Sequence, residues 1–551
     1  MSQAPVIICG AGPVGLTTSI LLSRLGIPVR LVERRADVST LPRSRGIMSR
    51  TVEIWSQFGL YDEMTAFSLP PHWCERFVYL ESLAGEVIGT MSSNCMAPGA
   101  QAAATAYDFR CAAQDQIDSM LYRHALTYPS AELSFSTELI EHRQDIDGVS
   151  VTLKHADGRL EEARTQWLVA ADGGRSPLRE RAGITSSGPT VIRWAVNNHF
   201  SADLSRWTGG REGTLIWTFA NGKIGCFQPL DGKKRWMAQI MIDPAVDPIE
   251  SWTPDRVVRQ LRDMIGDPAA ESVDFELHST YPYAIAATVA DRLRDGRLLL
   301  VGDAAHRIPP AGGFGMNTGI QTAHNLAWKL AAVVRGDATA ALLDSFDVER
   351  REVAARACNF GRINAGYIAA LERARSRDEQ RAAVAASRQF GNWSGLDLGV
   401  HYETAGAFVP DDQPAPAVAD PVIEYVACAK PGWRAPHLWL QYEGRRISTI
   451  DLFEREFVLL TGADGAGWLQ AARDSALPLR IRAIEISIKG DAVPEGDFAA
   501  LYGIGESGAV LVRPDGHVAW RAGTHASDPA RELSAALRTV LCLSEPSRTP
   551  A

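Results

Sequence analysis

The chain has 551 residues, more than one ordinary domain holds, so its length predicts two or three domains. Hydrophobic residues make up 46% and charged residues 22%, which is typical of a globular protein with large cores. The formal net charge of -9 argues against nucleic acid as a partner. No apolar run reaches the roughly 20 residues of a membrane span. With no basic stretch before the first strand either, we expect no membrane association and a cytoplasmic location.

The eight cysteines are scattered along the chain. None forms a C-x-x-C pair, and none lies near a histidine at the spacing of metal ligands. This distribution predicts reduced thiols in or near the cores and no bound metal.

The first segment predicts one βαβ unit. Residues 6–9 form a short apolar run typical of a buried parallel strand, and residues 14–25 carry apolar side chains at helical spacing. Residues 28–32 return as a second strand. Further along, stretches at 75–87, 149–153 and 214–241 are rich in aromatic and β-branched residues and predict antiparallel strands.

A second strand and helix unit is predicted after residue 297. It has a strand at 297–301, a glycine-rich loop and a helix at 318–335, followed by a helix from about 341 to beyond 370. Residues 406–421 are rich in Pro, Ala and Asp, which is typical of a linker. Strand-like runs at 457–460, 479–486 and 509–512 then indicate a small α/β domain.

The first motif is Gly10-Ala11-Gly12-Pro13-Val14-Gly15, with Glu33 at the end of the next strand. Gly10 permits a tight turn, Gly12 lets the backbone approach a pyrophosphate, and Gly15 lets helix and strand pack closely. The helix N-terminus then faces the phosphates, and Glu33 is placed to accept a hydrogen bond from a ribose hydroxyl. This motif by itself leaves FAD and NAD open.

Two further motifs follow strands. Asp172 ends the run WLVAAD before a Gly-Gly turn, and Pro177 opens a helix; alone, such an Asp-Gly turn is usually only a turn. Asp303 ends the run LLLVGD and precedes the loop PPAGGFGMN at 309–317. An acid at a strand end can hold a ribityl hydroxyl, and a glycine-rich loop entering a helix can stabilise the negative charge of reduced flavin.

In this order and spacing, the three motifs resemble those of the class A FAD-dependent aromatic monooxygenases, which have the p-hydroxybenzoate hydroxylase fold. The resemblance covers about residues 4–375 and is closest to the phenol, hydroxybiphenyl and polyketide hydroxylases. Residues 508–522, GAVLVRPDGHVAWRA, resemble the thioredoxin-like end domain of those enzymes. No C-x-x-C is present there, so the resemblance favours a dimerisation or stability role, and a homodimer is left open.

The resemblance implies an α/β architecture with interleaved domains. A Rossmann-like FAD-binding domain takes residues 1–70, 100–185 and 286–400, and an antiparallel β substrate-binding domain takes 71–99 and 186–285. The linker at 406–421 leads to a thioredoxin-like C-terminal domain at 422–551.

The resemblance also implies how FAD is held. Arg43 matches the arginine beside the pyrophosphate, Gln114 the glutamine at the flavin side chain, and Asp303 the ribityl-binding acid. Asp172, with Arg175, lies in the segment linked to both FAD and pyridine nucleotide. The full set of implied FAD ligands is Gly10, Gly12, Gly15, Glu33, Arg43, Gln114, Asp172, Asp303, Gly315, Met316 and Asn317.

The implied reaction uses NAD(P)H and dioxygen to hydroxylate a small aromatic substrate, with a phenol favoured, through a C4a-hydroperoxyflavin. Arg45 stands where the hydroxybiphenyl-type enzymes have a histidine. Arginine cannot act as a base at neutral pH, but it can hold a phenolate or carboxylate bidentately; contact with FAD phosphate or solvent is the alternative. Pro310 matches the proline whose carbonyl faces the substrate. His306 is placed near the flavin, with a structural role favoured.

Aromatic residues of the strand region are candidates for the substrate wall, although most such residues are simply core. They are Trp217, Tyr281 and Tyr283; His199 and Arg193 are weaker candidates. Two residues depart from the family pattern: Thr322 replaces an acid, and Phe314 occupies a loop position that is often polar or small. We expect Phe314 to alter the floor of the substrate pocket.

Three rival functions stay open on the sequence. The first is Baeyer–Villiger or other oxygenation of a polyketide ketone, the second is a reductase or dehydrogenase that uses no oxygen, and the third is a non-catalytic flavoprotein. The sequence does not choose between NADH and NADPH.

Overall fold

The computed structural model describes residues 4–403, 406–477 and 479–543, so the ends of the predicted first and last domains, 1–3 and 544–551, lie outside the described residues. Up to residue 170 the helices and strands are β1 (Val6–Cys9), α1 (Pro13–Arg24), β2 (Val29–Val32), β3 (Gly46–Ile47), α2 (Ser49–Ser56), α3 (Tyr61–Phe67), β4 (Arg76–Leu80), β5 (Val87–Ser92), β6 (Arg110–Cys111), α4 (Gln114–Ala125), β7 (Ala131–Ser134), β8 (Thr137–Gln144), β9 (Val149–His155), β10 (Leu160–Thr165) and β11 (Trp167–Ala170). From there to residue 290 they are α5 (Pro177–Arg181), β12 (Ser186–Ser187), β13 (Arg193–Ser201), α6 (Ser205–Thr208), β14 (Leu215–Thr218), β15 (Gly225–Pro229), β16 (Arg235–Ile242), α7 (Pro254–Ile265), β17 (Glu276–Ile285) and β18 (Thr288–Ala290).

The second half of the chain is more helical at first. To residue 398 its elements are β19 (Arg294–Asp295), β20 (Leu298–Leu300), β21 (His306–Arg307), α8 (Phe314–Arg335), α9 (Leu342–Arg373), α10 (Arg377–Ala386) and α11 (Ser394–Leu398). The C-terminal region holds β22 (Trp439–Tyr442), β23 (Arg445–Ser448), β24 (Phe457–Thr461), α12 (Ala466–Arg473), β25 (Ile481–Glu485), β26 (Ala492–Pro494), α13 (Phe498–Tyr502), β27 (Ala509–Val512), β28 (Val518–Ala522) and α14 (Pro529–Val540).

A six-stranded sheet with the order β19-β20-β11-β1-β2-β7 forms the core of the first domain. The central strands β20, β11 and β1 are short and buried on both faces, and all neighbours from β20 to β7 are parallel. In the register, Cys9 lies opposite both Val32 and Ala170, and Ala170 lies opposite Leu300. The carboxyl ends of four strands therefore meet at one edge of the sheet.

A second sheet of seven strands, β17-β13-β16-β15-β14-β4-β5, is built from two separate stretches of the chain. The predicted antiparallel pairing is confirmed except between β14 and β4, which are parallel. No hairpin joins these two strands, so the chain connection does not impose an antiparallel direction. Strands β8, β9 and β10 form a separate three-stranded antiparallel sheet.

Helix α8 begins at Phe314, four residues before the predicted start. Gly312 and Gly313 have φ angles of +120° and +76°, which glycine adopts without strain, so the chain turns sharply and enters the helix at once. Phe314 is buried and packs against Phe360 and Trp393 at ring-centroid distances of 5.3 and 6.3 Å. The expectation that Phe314 alters the pocket floor is therefore wrong: it is a core residue.

The C-terminal region contains a four-stranded sheet, β25-β24-β27-β28, and a three-stranded sheet, β23-β22-β26. Strands β24 and β25 are parallel, whereas β27 pairs with β24 and β28 in the antiparallel sense. Residues 406–421 contain no helix or strand. Across the described ranges, no helix is both long enough and apolar enough to cross a bilayer.

Replacing Leu168 with Ala tests the packing of the six-stranded sheet. Leu168 lies in β11 with 0% of its surface exposed, so Leu168→Ala leaves a cavity and should lower the free energy of unfolding by about 2–5 kcal/mol. Leu160 in β10 is 60% exposed, and Leu160→Ala should change it by less than about 0.5 kcal/mol. Urea denaturation followed by circular dichroism measures both. Equal effects of the two substitutions would contradict this account of the core.

Candidate cofactor and substrate site

A cavity of about 1240 Å³ lies between the carboxyl edge of the six-stranded sheet and the seven-stranded sheet. It is larger than the range of about 300–1,000 Å³ typical of a site for one small molecule. One end is lined by the glycine motif that follows β1, and the other by aromatic and aliphatic side chains of the second sheet and by α9. The space therefore suits an elongated molecule with a second molecule beside it.

The glycine turn at the start of α1 leaves room for a ligand. An added Cβ at Gly10 would lie 2.3 Å from the carbonyl oxygen of Ala171, and one at Gly15 would lie 1.9 Å from that of Gly10. A Cβ on Gly12 would instead meet no atom within 4 Å and would project into the cavity. Gly10 and Gly15 thus serve close packing, while Gly12 keeps open the space in front of the helix N-terminus, where a phosphate is favoured.

Glu33 lies at the end of β2 and lines the cavity. Its carboxylate accepts hydrogen bonds from the backbone N–H of Ala11 at 2.9 Å and from the backbone and side chain of Arg35 at 2.9 and 3.0 Å. Burial acts to raise the pKa of Glu33, but these hydrogen bonds outweigh it and the pKa is lowered. The carboxylate is therefore ionised; its predicted contact with a ribose hydroxyl stays a prediction.

Arg43 and Asp303 are two of the charged side chains that line the cavity without a partner among the described residues. Arg43 and Asp303 both line it and are exposed to it, and among the described residues neither side chain makes a hydrogen bond or ion pair. Asp303 lies deep in the molecule, and burial raises its pKa although Arg307 and Arg43 act to lower it. Unpaired charges at depth are costly. Their positions in the cavity fit the predicted contacts of Arg43 with the FAD pyrophosphate and of Asp303 with a ribityl hydroxyl.

Asp172 and Gln114 also line the cavity, but both side chains have protein partners. The Asp172 carboxylate accepts a hydrogen bond from the Ser176 hydroxyl at 2.6 Å and from the Leu178 N–H at 3.2 Å, so it stabilises the start of α5. The amide of Gln114 donates to Asp118 at 3.4 Å. Both remain within reach of a ligand in the cavity, and their FAD contacts stay predictions.

Three predicted flavin contacts, Gly315, Met316 and Asn317, lie in the first turn of α8. Gly315 and Met316 line the cavity, whereas Asn317 is fully buried and does not. The Asn317 amide accepts from the Met48 N–H at 2.9 Å and donates to the carbonyls of Gly46 and Gly313 at 2.9 and 2.8 Å. The Asn317 side chain therefore ties Gly46 and Met48 to the turn before α8, and its predicted contact with the cofactor stays a prediction.

Arg45 lines the cavity, but its guanidinium is largely occupied by the protein. Nε donates to Gln228 at 3.0 Å, Nη1 to the Pro229 carbonyl at 2.8 Å and to the Cys111 sulfur at 3.6 Å, and Nη2 to the Thr214 carbonyl at 2.8 Å. Within the described residues this leaves one N–H of Nη2 for a ligand. A bidentate grip on substrate is therefore excluded in this arrangement, in which Arg45 joins the cavity loop to the second sheet.

The two other predicted catalytic residues differ in position. Pro310 lines the cavity, and its carbonyl accepts a hydrogen bond from the Gly313 N–H at 3.0 Å. His306 does not line the cavity; it lies in β21, opposite Val289 of β18, and is 1% exposed. Burial, with a contribution from Arg350, lowers the pKa of His306 to about 3. A buried neutral imidazole outside the cavity does not reach substrate, so the structure excludes His306 as a catalytic candidate and agrees with the structural role that the sequence favoured.

All three aromatic candidates line the cavity. The Tyr281 hydroxyl accepts a hydrogen bond from Asn197 at 2.6 Å, and the Tyr283 hydroxyl accepts one from Gln239. The described residues offer the indole Nε1 of Trp217 no acceptor. Burial raises the pKa of both tyrosines, so they are neutral. This wall therefore offers neutral polar groups to a substrate.

The two weaker candidates, His199 and Arg193, differ in whether they line the cavity. His199 does not line the cavity, whereas Arg193 does. Arg193 also forms a bidentate ion pair with Glu372 of α9 at 2.5 and 2.7 Å, which joins the second sheet to α9 at the cavity.

Arg362 is a cavity residue that the sequence analysis missed. It is exposed to the cavity, and the described residues offer its side chain no hydrogen-bond or ion-pair partner. Ala365, Gly366 and Ala369 line the cavity on the same face of α9. In the sequence, the signal for Arg362 was a row of small residues at helical spacing beside one arginine. No carboxylate or histidine of the second sheet or of α9 lines the cavity, so this half is positively charged.

Comparison with known proteins agrees with this geometry. Residues 3–361 match the family described as FAD binding domain, and residues 429–542 match the family described as aromatic-ring hydroxylase, C-terminal. The chain belongs to the FAD-dependent aromatic-ring hydroxylases. Among the relatives of this hydroxylase are aklavinone 12-hydroxylase RdmE of Streptomyces purpurascens, 35% identical over 98% of this chain and 99% of the relative, and 2,4-dichlorophenol 6-monooxygenase of Delftia acidovorans, 31% identical over 98% of each.

Solved structures resemble the hydroxylase over nearly its whole length. The flavin-dependent monooxygenase PieE, solved with FAD and substrate, is 33% identical with a TM-score of 0.91 and covers 98% of this chain and 99% of its own. Aklavinone-11 hydroxylase, solved with FAD and aklavinone, is 32% identical with a TM-score of 0.86 over the same shares. The family match and these structures show FAD as the cofactor. The open space at Gly12, with Arg43 and Asp303 unpartnered among the described residues, makes the cavity the candidate FAD site.

Replacing Gly12 with Val tests the phosphate end of the cavity. The added side chain meets no protein atom but fills the space before the N-terminus of α1, so Gly12→Val should abolish FAD binding and leave the fold intact. Gly523 also has open space at its Cβ position and lies outside the cavity, so Gly523→Val is the matched control. Flavin absorbance of the purified proteins, with far-ultraviolet circular dichroism, measures both. A yellow Gly12→Val protein with the wild-type flavin content would contradict the assignment.

Proposed function

We propose that this hydroxylase inserts one oxygen atom of dioxygen into an aromatic, phenolic substrate, with FAD bound along the cavity and NAD(P)H as the reductant. One observation carries the proposal: a single cavity runs from the glycine turn of the six-stranded sheet to the aromatic wall of the second sheet. The relatives named for aklavinone and for dichlorophenol support an aromatic substrate. The choice between NADH and NADPH, the homodimer and the cytoplasmic location stay predictions from the sequence.

Residues of the first domain would hold FAD. The N-terminus of α1 and the Arg43 guanidinium suit the pyrophosphate, Asp303 suits a ribityl hydroxyl, and the N-terminus of α8 at Gly315 suits a negatively charged flavin ring. When bound, FAD supplies the redox chemistry that activates dioxygen. The protein contributes the positions of the two molecules and a fixed positive potential in the substrate half of the cavity.

The substrate half of the cavity fits a flat, largely apolar molecule that carries ionisable oxygen. Its walls include Phe77, Trp217, Met241 and Ile368, with the hydroxyls and amides of the second sheet between them. Because these walls contain no carboxylate or histidine, they offer no general base for a phenol. A substrate bound as its anion avoids that need, and Arg362, which has no partner among the described residues, is a cation that favours this form.

Oxygen incorporation by the FAD-loaded enzyme tests the proposed reaction. A panel of phenols, salicylates and polycyclic hydroxyquinones should include at least one compound that stimulates NAD(P)H oxidation and acquires one atom from isotopically labelled dioxygen. Mass spectrometry of products and assay of released hydrogen peroxide measure coupling. Stimulated oxidation without label in any product indicates a reductase, and bound FAD with no stimulation indicates a non-catalytic flavoprotein. A lactone from a ketone substrate indicates the Baeyer–Villiger alternative.

Substituting Arg362 tests how the substrate anion is recognised. Arg362→Gln should raise the KM for an ionised phenol or carboxylate by about tenfold, the effect of losing one hydrogen bond to a charged group of roughly 1.5 kcal/mol. Arg362→Lys keeps the charge and should restore much of the affinity. Arg351→Gln removes an exposed arginine of the same helix that pairs with Asp347, and it should have no effect. Steady-state kinetics measure the KM of each variant. An unchanged KM in Arg362→Gln would show that Arg362 does not bind the substrate.

A further inference from the structure

A cluster of buried charges lies where α2, α8 and α9 meet the C-terminal region. It includes Arg513, Asp515 and His517 of the RPDGH motif, which the proposed function does not use. Every charged member is at most 4% exposed. The cations are Arg50, Lys329, Arg350, Arg434 and Arg513, and the carboxylates are Glu53, Glu349, Asp397 and Asp515.

Four of the five cations have a carboxylate partner. Arg513 pairs with Glu349 at 2.8 Å and with Asp515 at 2.5 Å, and Lys329 pairs with Glu349 at 2.7 Å. In the same cluster, ion pairs join Glu53 to its two arginine partners, Arg50 at 2.7 Å and Arg434. These pairs compensate the cost of removing each charge from water.

Arg350 is the exception. It is 1% exposed, and no carboxylate among the described residues lies within ion-pair distance of it. Its N–H groups reach only neutral oxygens at long range: the Thr322 hydroxyl at 3.3 Å, the Tyr402 hydroxyl at 3.3 Å and the Thr318 carbonyl at 3.5 Å. A buried guanidinium without a counter-charge is strongly unfavourable.

The charge balance of the whole cluster points the same way. Five cations face four carboxylates, and burial raises the pKa of Asp397 to about 7, so that group is only partly ionised at neutral pH. The cluster therefore carries at least one positive charge in excess. A small cavity of about 10 Å³ adjoins Arg350 and has room for one occupant about the size of a water molecule.

The lining of this small cavity includes nitrogen atoms without partners. His324 Nε2, His517 Nε2 and Arg434 Nη1 are buried and make no hydrogen bond with the described residues. The guanidinium nitrogen is a donor, and each neutral imidazole donates from Nε2 in the tautomer that carries the ring proton there. The Asp515 carboxylate also lines the cavity, but its oxygens accept from Arg513 at 2.9 and 2.5 Å. Unused donors around an uncompensated guanidinium are the surroundings that an anion requires.

We propose that this cavity binds one small monovalent anion of the halide type, with chloride as the test case, held by Arg350 and by the unpartnered donors of His324, His517 and Arg434. The anion supplies the counter-charge that Arg350 lacks. It also joins the C-terminal region to α8 and α9, since its ligands come from both sides of that junction. Chloride and bromide are both larger than water, so the side chains around the cavity must shift outward to admit either ion.

Bromide provides a direct structural test. Crystals of the FAD-loaded enzyme grown in sodium bromide should give an anomalous difference peak in the cavity beside Arg350, because bromine scatters anomalously and water does not. A peak there supports the site. Ordinary water density without an anomalous signal overturns the proposal.

Thermal unfolding of the FAD-loaded enzyme provides the test in solution. Replacing gluconate, which is too large for the cavity, by chloride at constant ionic strength should raise Tm by a few degrees and then saturate, as ligand linkage requires. Arg350→Met should abolish this chloride response. Arg351→Met, which removes the exposed neighbouring arginine, should retain it in full.

The outcomes of the solution test are distinct. A saturable chloride response in wild type and Arg351→Met, absent in Arg350→Met, supports the site. Equal responses in all three proteins, or none in wild type, overturn it. Should Arg350→Met fail to fold, the bromide experiment on the wild-type enzyme still decides.

Discussion

Parallel pairing of β2, β1, β11 and β20 is the constraint on which the site depends. Parallel strands in register end at the same edge of their sheet, so residues that follow four different strands are brought together. This pairing brings four groups to one cavity: the glycine turn at Gly10, the Glu33 carboxylate, Asp172 and Asp303. The first and the last of them are 293 residues apart in the sequence. Without it, each motif is an ordinary turn.

The second sheet converts the cofactor edge into an enclosed site. Its two stretches of chain are inserted between parts of the first domain, and Arg45 fastens them by donating to two backbone carbonyls and a side chain of the second sheet and its preceding loop. The wall opposite the cofactor end is thereby neutral or positive. This division of charge agrees with a cofactor that carries phosphates at one end and a substrate that is bound as an anion at the other.

Helices α8 and α9 connect this site to the C-terminal region. The loop before α8 lines the cavity, while the helix interior contributes Asn325 and Lys329 to the buried cluster with Arg513. The RPDGH motif therefore has a packing role on the face of the first domain that is remote from the flavin. Cys428 and Cys542, the described cysteines of the C-terminal region, are free thiols.

The sequence by itself determined the features whose geometry is local. The glycine turn, the strand-end acids and most of the long helices follow from short-range rules, because backbone dihedrals and hydrophobic spacing act within a few residues. Helix α8 began early only because two consecutive glycines turned the chain sooner than expected.

The directions of side chains were decided by the tertiary structure. Asn317 and His306 sit in the predicted loops yet point away from the cavity, Arg45 is occupied by carbonyls from another sheet, and Arg362 faces the cavity from a helix that the motifs did not mark. The parallel pairing of β14 with β4 and the isolation of Arg350 likewise depend on which distant segments pack together. Such contacts are made between residues far apart in sequence, so no local pattern encodes them.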